Sequence, residues 1–162
     1  MAFESFLEIK EIPGESQKKG HEDQMDVLSY QLGVVQTGSF QQGGPGGGAG
    51  KAEFHDISVV KYVDKGTAKL FEACAAGTHF GKATLYVRKA GDKPLEYLKI
   101  EMQDLIISSQ TINGASGNDQ VMESITINAA VIKQNYIEQD AKGGAGKTVA
   151  AGFDIRAGEK VA

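Results

Sequence analysis

The sequence predicts a mainly β fold, an antiparallel barrel or sandwich with one short α-helix, about 67–76. Three observations carry that expectation. Apolar residues recur at period two along most of the chain, where an amphipathic helix would space them three and four apart. Turn chemistry separates the alternating runs at Pro13-Gly14, at Ala90-Gly91-Asp92, and from Asn113-Gly114 through Gly117-Asn118-Asp119. A single stretch, the alanine-rich Thr67–Ala76, has helical spacing. About seven or eight strands with one helix make a barrel or sandwich, and 162 residues suffice for one domain, 1–162.

The elements follow in order. Phe3, Ser5, Leu7 and Ile9 share a face of the first expected strand. In Asp26–Val35, Leu28, Tyr30, Leu32 and Val34 lie opposite Ser29, Gln31 and Gly33, as when a strand covers a core and shows its back to water. The helix expected over Thr67–Ala76 has a candidate N-cap at Thr67 or Asp64. Leu70, Phe71 and Cys74 form its apolar side, and Gly77 is its stop. Ala83, Leu85 and Val87 oppose Thr84, Tyr86 and Arg88. In Leu95–Ser108 the apolar phase runs through Leu98, Ile100 and Met102, then slips to Leu105 and Ile107, which predicts a bulge or bend. Ile125, Ile127 and Ala129 oppose Ser124, Thr126 and Asn128, and Val149, Ala151, Phe153 and Ile155 mark a last strand.

Composition excludes several classes of function. Seventeen Lys and Arg against 21 Asp and Glu give a formal charge of -4, with no basic stripe of the kind nucleic acid selects. No apolar run reaches the roughly 18–20 residues of a bilayer span, and the start of the chain carries acids where a Sec-type signal has a basic end and an apolar run. One cysteine, Cys74, forms no internal disulfide, so the core alone must hold the fold. His21, His55 and His79 lack metal-ligand spacing, and a lone cysteine rules out multi-cysteine zinc sites. Glu22-Asp23 reads as solvated charge. No G-x-S-x-G elbow is present, so no catalytic residue, cofactor or metal site is assigned.

Glycine is the compositional anomaly. Its 21 residues are about twice ordinary usage, with six of them in Gly43–Gly50 and three in Gly143–Gly146. Ala141–Thr148 (AKGGAGKT) differs from the phosphate loop G-x-x-x-x-G-K-[ST] in its first residue alone. That loop must lead into a helix whose amides hold the phosphates, whereas here the next residues have a strand pattern. A turn is therefore expected, and a small nucleotide hydrolase using Lys147 and Thr148 is the alternative. The first tract is either slack connection or a loop, about 38–51, that orders against another protein. A monomeric β-barrel binding module is a third reading.

The order and spacing of several segments carry a resemblance. They are Gly14-Glu15-Ser16 followed by His21 and Asp26-Val27-Leu28; Gly38-Ser39 through Gly43–Lys51; and Lys61-Tyr62-Val63-Asp64-Lys65 through Leu70, Ala73-Cys74 and Gly77. Beyond them stand Arg88-Lys89-Ala90-Gly91, Glu96-Tyr97-Leu98, Ser108-Ser109 and Ile155-Arg156. Nearly end to end, the chain resembles the haemolysin-coregulated protein (Hcp) family, the inner tube of bacterial type VI secretion systems. Gly66, where the family often has a polar residue, and the variable Gly143–Gly146 stretch are departures.

The resemblance implies a β-barrel of two sheets with a flanking helix, and six copies closed into a ring. It further implies rings stacked into a hollow tube, a spike protein of the VgrG type at the tip, a contractile sheath outside, and secreted effectors carried in the lumen. The chain would be cytoplasmic before assembly and then exported without a Sec signal. Phe40, Gly43, Gly44, Pro45, Gly46, Gly47, Gly48, Gly50 and Lys51 would form the loop that reaches the next ring. A heterologous ring needs two different complementary surfaces on each subunit. Ser29, Gln31 and Gly33 are the candidate lumen face, small and uncharged; an ordinary solvated strand back is the alternative.

Overall fold

The computed structural model describes residues 3–38 and 49–162. The elements are β1 (Phe3–Glu8), β2 (Met25–Val27), β3 (Ser29–Gln31), β4 (Val34–Gly38), β5 (Ala49–Phe54), β6 (Ile57–Tyr62), α1 (Thr67–Ala76), β7 (His79–Lys89), β8 (Glu96–Asn113), β9 (Met122–Gln139), β10 (Ala145–Asp154) and β11 (Glu159–Val161). They form a mainly β fold with one short helix. The main sheet is antiparallel, with the path β11-β10-β9-β8-β7-β1-β2, while β4 and β5 form a separate hairpin.

The 18-residue strand β9 organises the sheet. One edge pairs with β8 along its length, and the other is shared by β6, opposite Met122–Ile127, and β10, opposite Val131–Gln139. β2 pairs with β1 and β3 pairs with β6, so the chain passes from one end of the sheet to the other across Leu28, whose N–H donates to the Val60 carbonyl at 2.8 Å. The sheet thus curls around the core, but its ladder is interrupted at Leu28 and does not close as a barrel.

The alternation selects the core. Leu85, Ile100, Met102, Ile125 and Ile127 are almost wholly buried, with Leu7 and Ile9 beside them. The expected slip in β8 falls at Asp104, whose φ of +52° turns the strand so that Met102 and Leu105 both face inward. A register shift against β9 comes next, between Ile107 and Ser109. Several apolar residues expected inside are exposed instead. The switch between strands breaks the alternation at Leu28, leaving Val27 packed against the core in its place. Val34 stands on the separate hairpin, while Phe3 on β1 and Val149 on β10 are more than half exposed.

Helix α1 has the expected bounds, and Leu70 and Ala73 on its buried side fill the core. Burial of a leucine side chain contributes about 1.5–3 kcal/mol. Cys74 is partly buried against the same cluster, as a small hydrophobe. Phe71, one residue around from Leu70, points to solvent at 64% exposure. The N-cap is neither Thr67 nor Asp64 but Gly66, which makes no side-chain cap bond; Asp64 Oδ1 accepts its N–H at 2.8 Å. Gly77 ends the helix at φ 64°, and its amide and that of Thr78 reach back to the carbonyls of Cys74 and Ala73.

The back of β7 is also covered, by the segment between β1 and β2. Gly14 N–H donates to Asp23 O at 2.7 Å and Ser16 N–H to Gln24 O at 3.0 Å. A Cβ on Gly14 would lie 2.5 Å from Gln24 O, so only glycine allows this approach. The fold of this segment places His21 in a stack on Phe6, with ring centroids 4.4 Å apart, and Arg88 over Phe6 at 5.1 Å. The Arg88 Nε donates to Glu4 at 2.9 Å. The Lys18 ammonium, and secondarily Arg88, hold the Glu4 carboxyl below the ordinary carboxylate range.

Candidate assembly surfaces

The face of β3 follows its period. Ser29, Gln31 and, just beyond the strand, Gly33 are exposed, while Tyr30 and Leu32 pack partly against the core. Gly33 O accepts the His55 N–H at 3.0 Å, and a Cβ at this glycine would come within 3.3 Å of His55 Nδ1. Together these residues make a small, uncharged strip.

The first glycine tract is framed by the β4–β5 hairpin. Its arms pair from Val34 opposite Phe54 to Gly38 opposite Ala49. Gly50 and Lys51 are strand residues of β5, and a Cβ at Gly50 would press to 2.9 Å from Thr37 O. Phe40, Gly43, Gly44, Pro45, Gly46, Gly47 and Gly48 lie outside the described residues.

The second tract spans the expected turn between β9 and β10, with Gly143 and Gly144 in the turn and Gly146 already in β10. The amides of Lys142 and Gly144 converge on Asp140 Oδ1 at 2.9 and 2.7 Å, and Asp140 N–H returns a bond to Gly144 O at 2.9 Å. In a phosphate loop such amides face the bound anion; here the chain supplies a carboxylate of its own. Lys147 and Thr148 lie within β10, where Thr148 pairs with Ile137 on β9, so the segment that would have to be helical is strand. His21, His55 and His79 lie on separate parts of the fold, and no group of three or more potential metal ligands occurs among the described residues.

One polar site has no counterpart in the motif reading. Lys61 and Glu123 are fully buried and paired to each other. Lys61 Nζ also meets Asp64 at 3.1 Å and donates to Tyr62 O at 3.0 Å. Glu123 accepts from Thr67 Oγ1 at 3.0 Å and Gln110 Nε2 at 2.9 Å, and Gln110 also donates to Thr67 O. This network ties the start of α1 to β6, β8 and β9. Its signal was parity: Lys61 continues the inward series Ile57, Val59, and Glu123 precedes the inward series Ile125, Ile127.

Antiparallel strands curled around a core, one helix packed on that core and a hairpin off the main sheet make up the architecture. The family model described as "Type VI secretion system effector, Hcp" matches residues 6–136, and the chain belongs to that family. It is 40% identical over 158 residues to Protein hcp1 of Pseudomonas aeruginosa strain PAO1, across 96% of this chain and 97% of the other. Among solved structures, a type six secretion system protein superposes with a TM-score of 0.93 at 26% identity, covering 99% of this chain and 100% of that one. Hcp1 from Salmonella typhimurium superposes at 0.80 with 30% identity, over 99% and 100%. The chain is thus an Hcp-family effector and tube protein of type VI secretion. Among the described residues no helix is long and apolar enough to cross a membrane.

Proposed function

We propose that this chain is the repeating subunit of a secretion tube: six copies close head to tail into a ring, and rings stack into a hollow cylinder. A VgrG-type spike caps the cylinder, and contraction of an outer sheath expels it with effectors in its lumen. The role is structural, without a cofactor or a catalytic residue. The observation that carries this reading is the relationship to Protein hcp1, which spans nearly the whole of both chains. Negative-stain imaging and light scattering of the purified protein test it. Rings with a central hole and a mass six times 17.2 kDa are expected, and a monomer at all concentrations refutes the reading.

Ser29, Gln31 and Gly33 are the proposed lumen face; their exposure on one side of β3, with Tyr30 and Leu32 on the other, supports the assignment. Gln31→Trp is expected to disturb effector retention while sparing the fold, and unchanged retention refutes it. The stretch from Phe40 to Lys51 is the proposed ring-stacking loop. Deletion of Gly43–Gly48 is expected to leave single rings that stack poorly, and a normal tube from the deleted protein refutes the role.

A further inference from the structure

The chain holds four asparagines, Asn113, Asn118, Asn128 and Asn135. Asparagine is a thermolabile residue, because the backbone nitrogen of the residue that follows can attack its carboxamide carbon. The attack needs a backbone free to rotate and little bulk beside that nitrogen. Asn128 and Asn135 lie inside β9, where Ala129 pairs with Leu105 and Tyr136 with Leu98, and Asn128 Nδ2 also donates to Asp56 at 2.8 Å. Asn118 is followed by Asp119, whose side chain and negative charge stand beside the nitrogen that would attack.

Asn113 differs on each count. It is the last residue of β8, its pairing with Met122 ends the β8–β9 ladder, and it is exposed. Gly114 follows outside the strand, and its N–H meets no acceptor among the described residues. A Cβ built on Gly114 would touch nothing closer than Val121 Cγ1 at 3.9 Å, so the space around this peptide is open. Glycine also has no side chain to hinder ring closure and the widest range of backbone angles. Chain segments at the ends of elements open at little free-energy cost. The rotation of Asn113 that brings the two atoms together therefore disturbs one terminal pair and nothing in the core.

We infer that Asn113 is a site of spontaneous covalent modification, a deamidation set by the end of β8. The Gly114 nitrogen gives up its proton and bonds to Asn113 Cγ, and the carboxamide nitrogen takes up a proton and leaves as ammonia. Water, the one co-reactant, then opens the cyclic imide at either carbonyl. One opening yields aspartate at 113; the other yields isoaspartate, in which the main chain runs through the former side-chain carbons. Either product replaces a neutral amide by a carboxylate, so the formal charge moves one unit beyond -4. Isoaspartate also adds a methylene to the backbone opposite Met122, at the turn that leads from β8 to β9. The site is independent of the ring reading above.

Incubation of the purified protein in mildly alkaline buffer, followed by peptide mapping in mild acid, tests the assignment. The peptide that contains Asn113 should gain the mass difference between O and NH and take up heavy oxygen from labelled water. Its isoaspartyl fraction should accept a methyl group from S-adenosylmethionine through an isoaspartyl methyltransferase. Because a fraying strand end opens at a cost near zero, the folded chain should react within roughly tenfold of the rate of the free peptide Thr111–Gly117. Gly114→Ala should slow the reaction and Asn113→Gln should abolish it at this site; both positions are exposed, and circular dichroism would verify the fold. Conversion at Asn118 in preference to Asn113, or a folded Gly114→Ala variant that reacts as fast as the unaltered chain, overturns the assignment. So does a folded-state rate more than roughly tenfold below that of the free peptide, which would mean that the β8–β9 ladder restrains Asn113. Should Gly114→Ala fail to fold, that comparison with the free peptide decides.

Discussion

Replacing Lys61 with Met should be among the most damaging single changes available in this domain. Lys61 and Glu123 have no exposed surface. Removing the ammonium leaves Glu123 with two hydrogen-bond donors, Thr67 Oγ1 and Gln110 Nε2, but no positive charge at contact distance. Breaking one side of a buried ion pair costs about 3–5 kcal/mol, against a total stability of about 5–15 kcal/mol for a typical domain. Glu123→Gln keeps the shape and leaves Lys61 its contact with Asp64 and its bond to Tyr62 O, so its cost should be clearly smaller. In a domain of this size about 1 kcal/mol moves Tm by roughly 2–4 °C, which puts the Lys61→Met shift near roughly 10 °C. Urea and thermal unfolding at one fixed protomer concentration measure both variants, since assembly raises apparent stability by mass action. A Lys61→Met protein within about 1 kcal/mol of the unaltered chain, or less damaged than Glu123→Gln, would refute the claim that the pair is desolvated and asymmetrically supported.

Further predictions concern single contacts. Gly14→Ala sets a methyl group 2.5 Å from Gln24 O, where only backbone can yield; a loss of about 1–3 kcal/mol, as for other overpacking, should appear in urea unfolding. Gly77→Ala meets no atom within 4 Å and incurs the left-handed conformation alone, so its cost should stay near about 1 kcal/mol and below that of Gly14→Ala. The Lys82 hydrogen bond at 2.8 Å lowers the Glu101 carboxyl from its ordinary value of 4.5. That contribution is present above this pH and is lost as pH falls through the lowered folded-state value. Because the pair is partly solvated it contributes at most about 1 kcal/mol, so stability curves of Glu101→Gln and the unaltered chain should differ slightly at neutral pH and converge in acid.

Period-two alternation identified the strands because a half-buried strand must alternate, and it located Ile125, Ile127 and Ala129 inside and Gln31 outside without further information. It failed where the chain changes partners. Leu28 has the right spacing for the core but sits at the switch from β1 to β6, and Phe71 has a helical apolar position that no neighbouring layer reaches. Conversely, Phe6 and Arg88 lie on the face opposite the core, yet the segment carrying Gly14 and His21 folds over them and buries both. The phosphate-loop likeness of the second glycine tract fails because β10, which already includes Lys147 and Thr148, cannot supply the helix amides the motif needs.

The sequence by itself determined the β class, the helix bounds, the family, and the turn that separates β9 from β10, because each is written in local periodicity, capping glycines or the spacing of short segments. Only the tertiary structure decided that Lys61 meets Glu123 across 62 residues of chain, that the sheet curls without closing its ladder, and that Phe6 and Arg88 are buried on the face opposite the core. The physical reason is the same in each case. Burial and pairing depend on which strands become neighbours, and a strand's own pattern states which face is apolar but not what, if anything, lies against it.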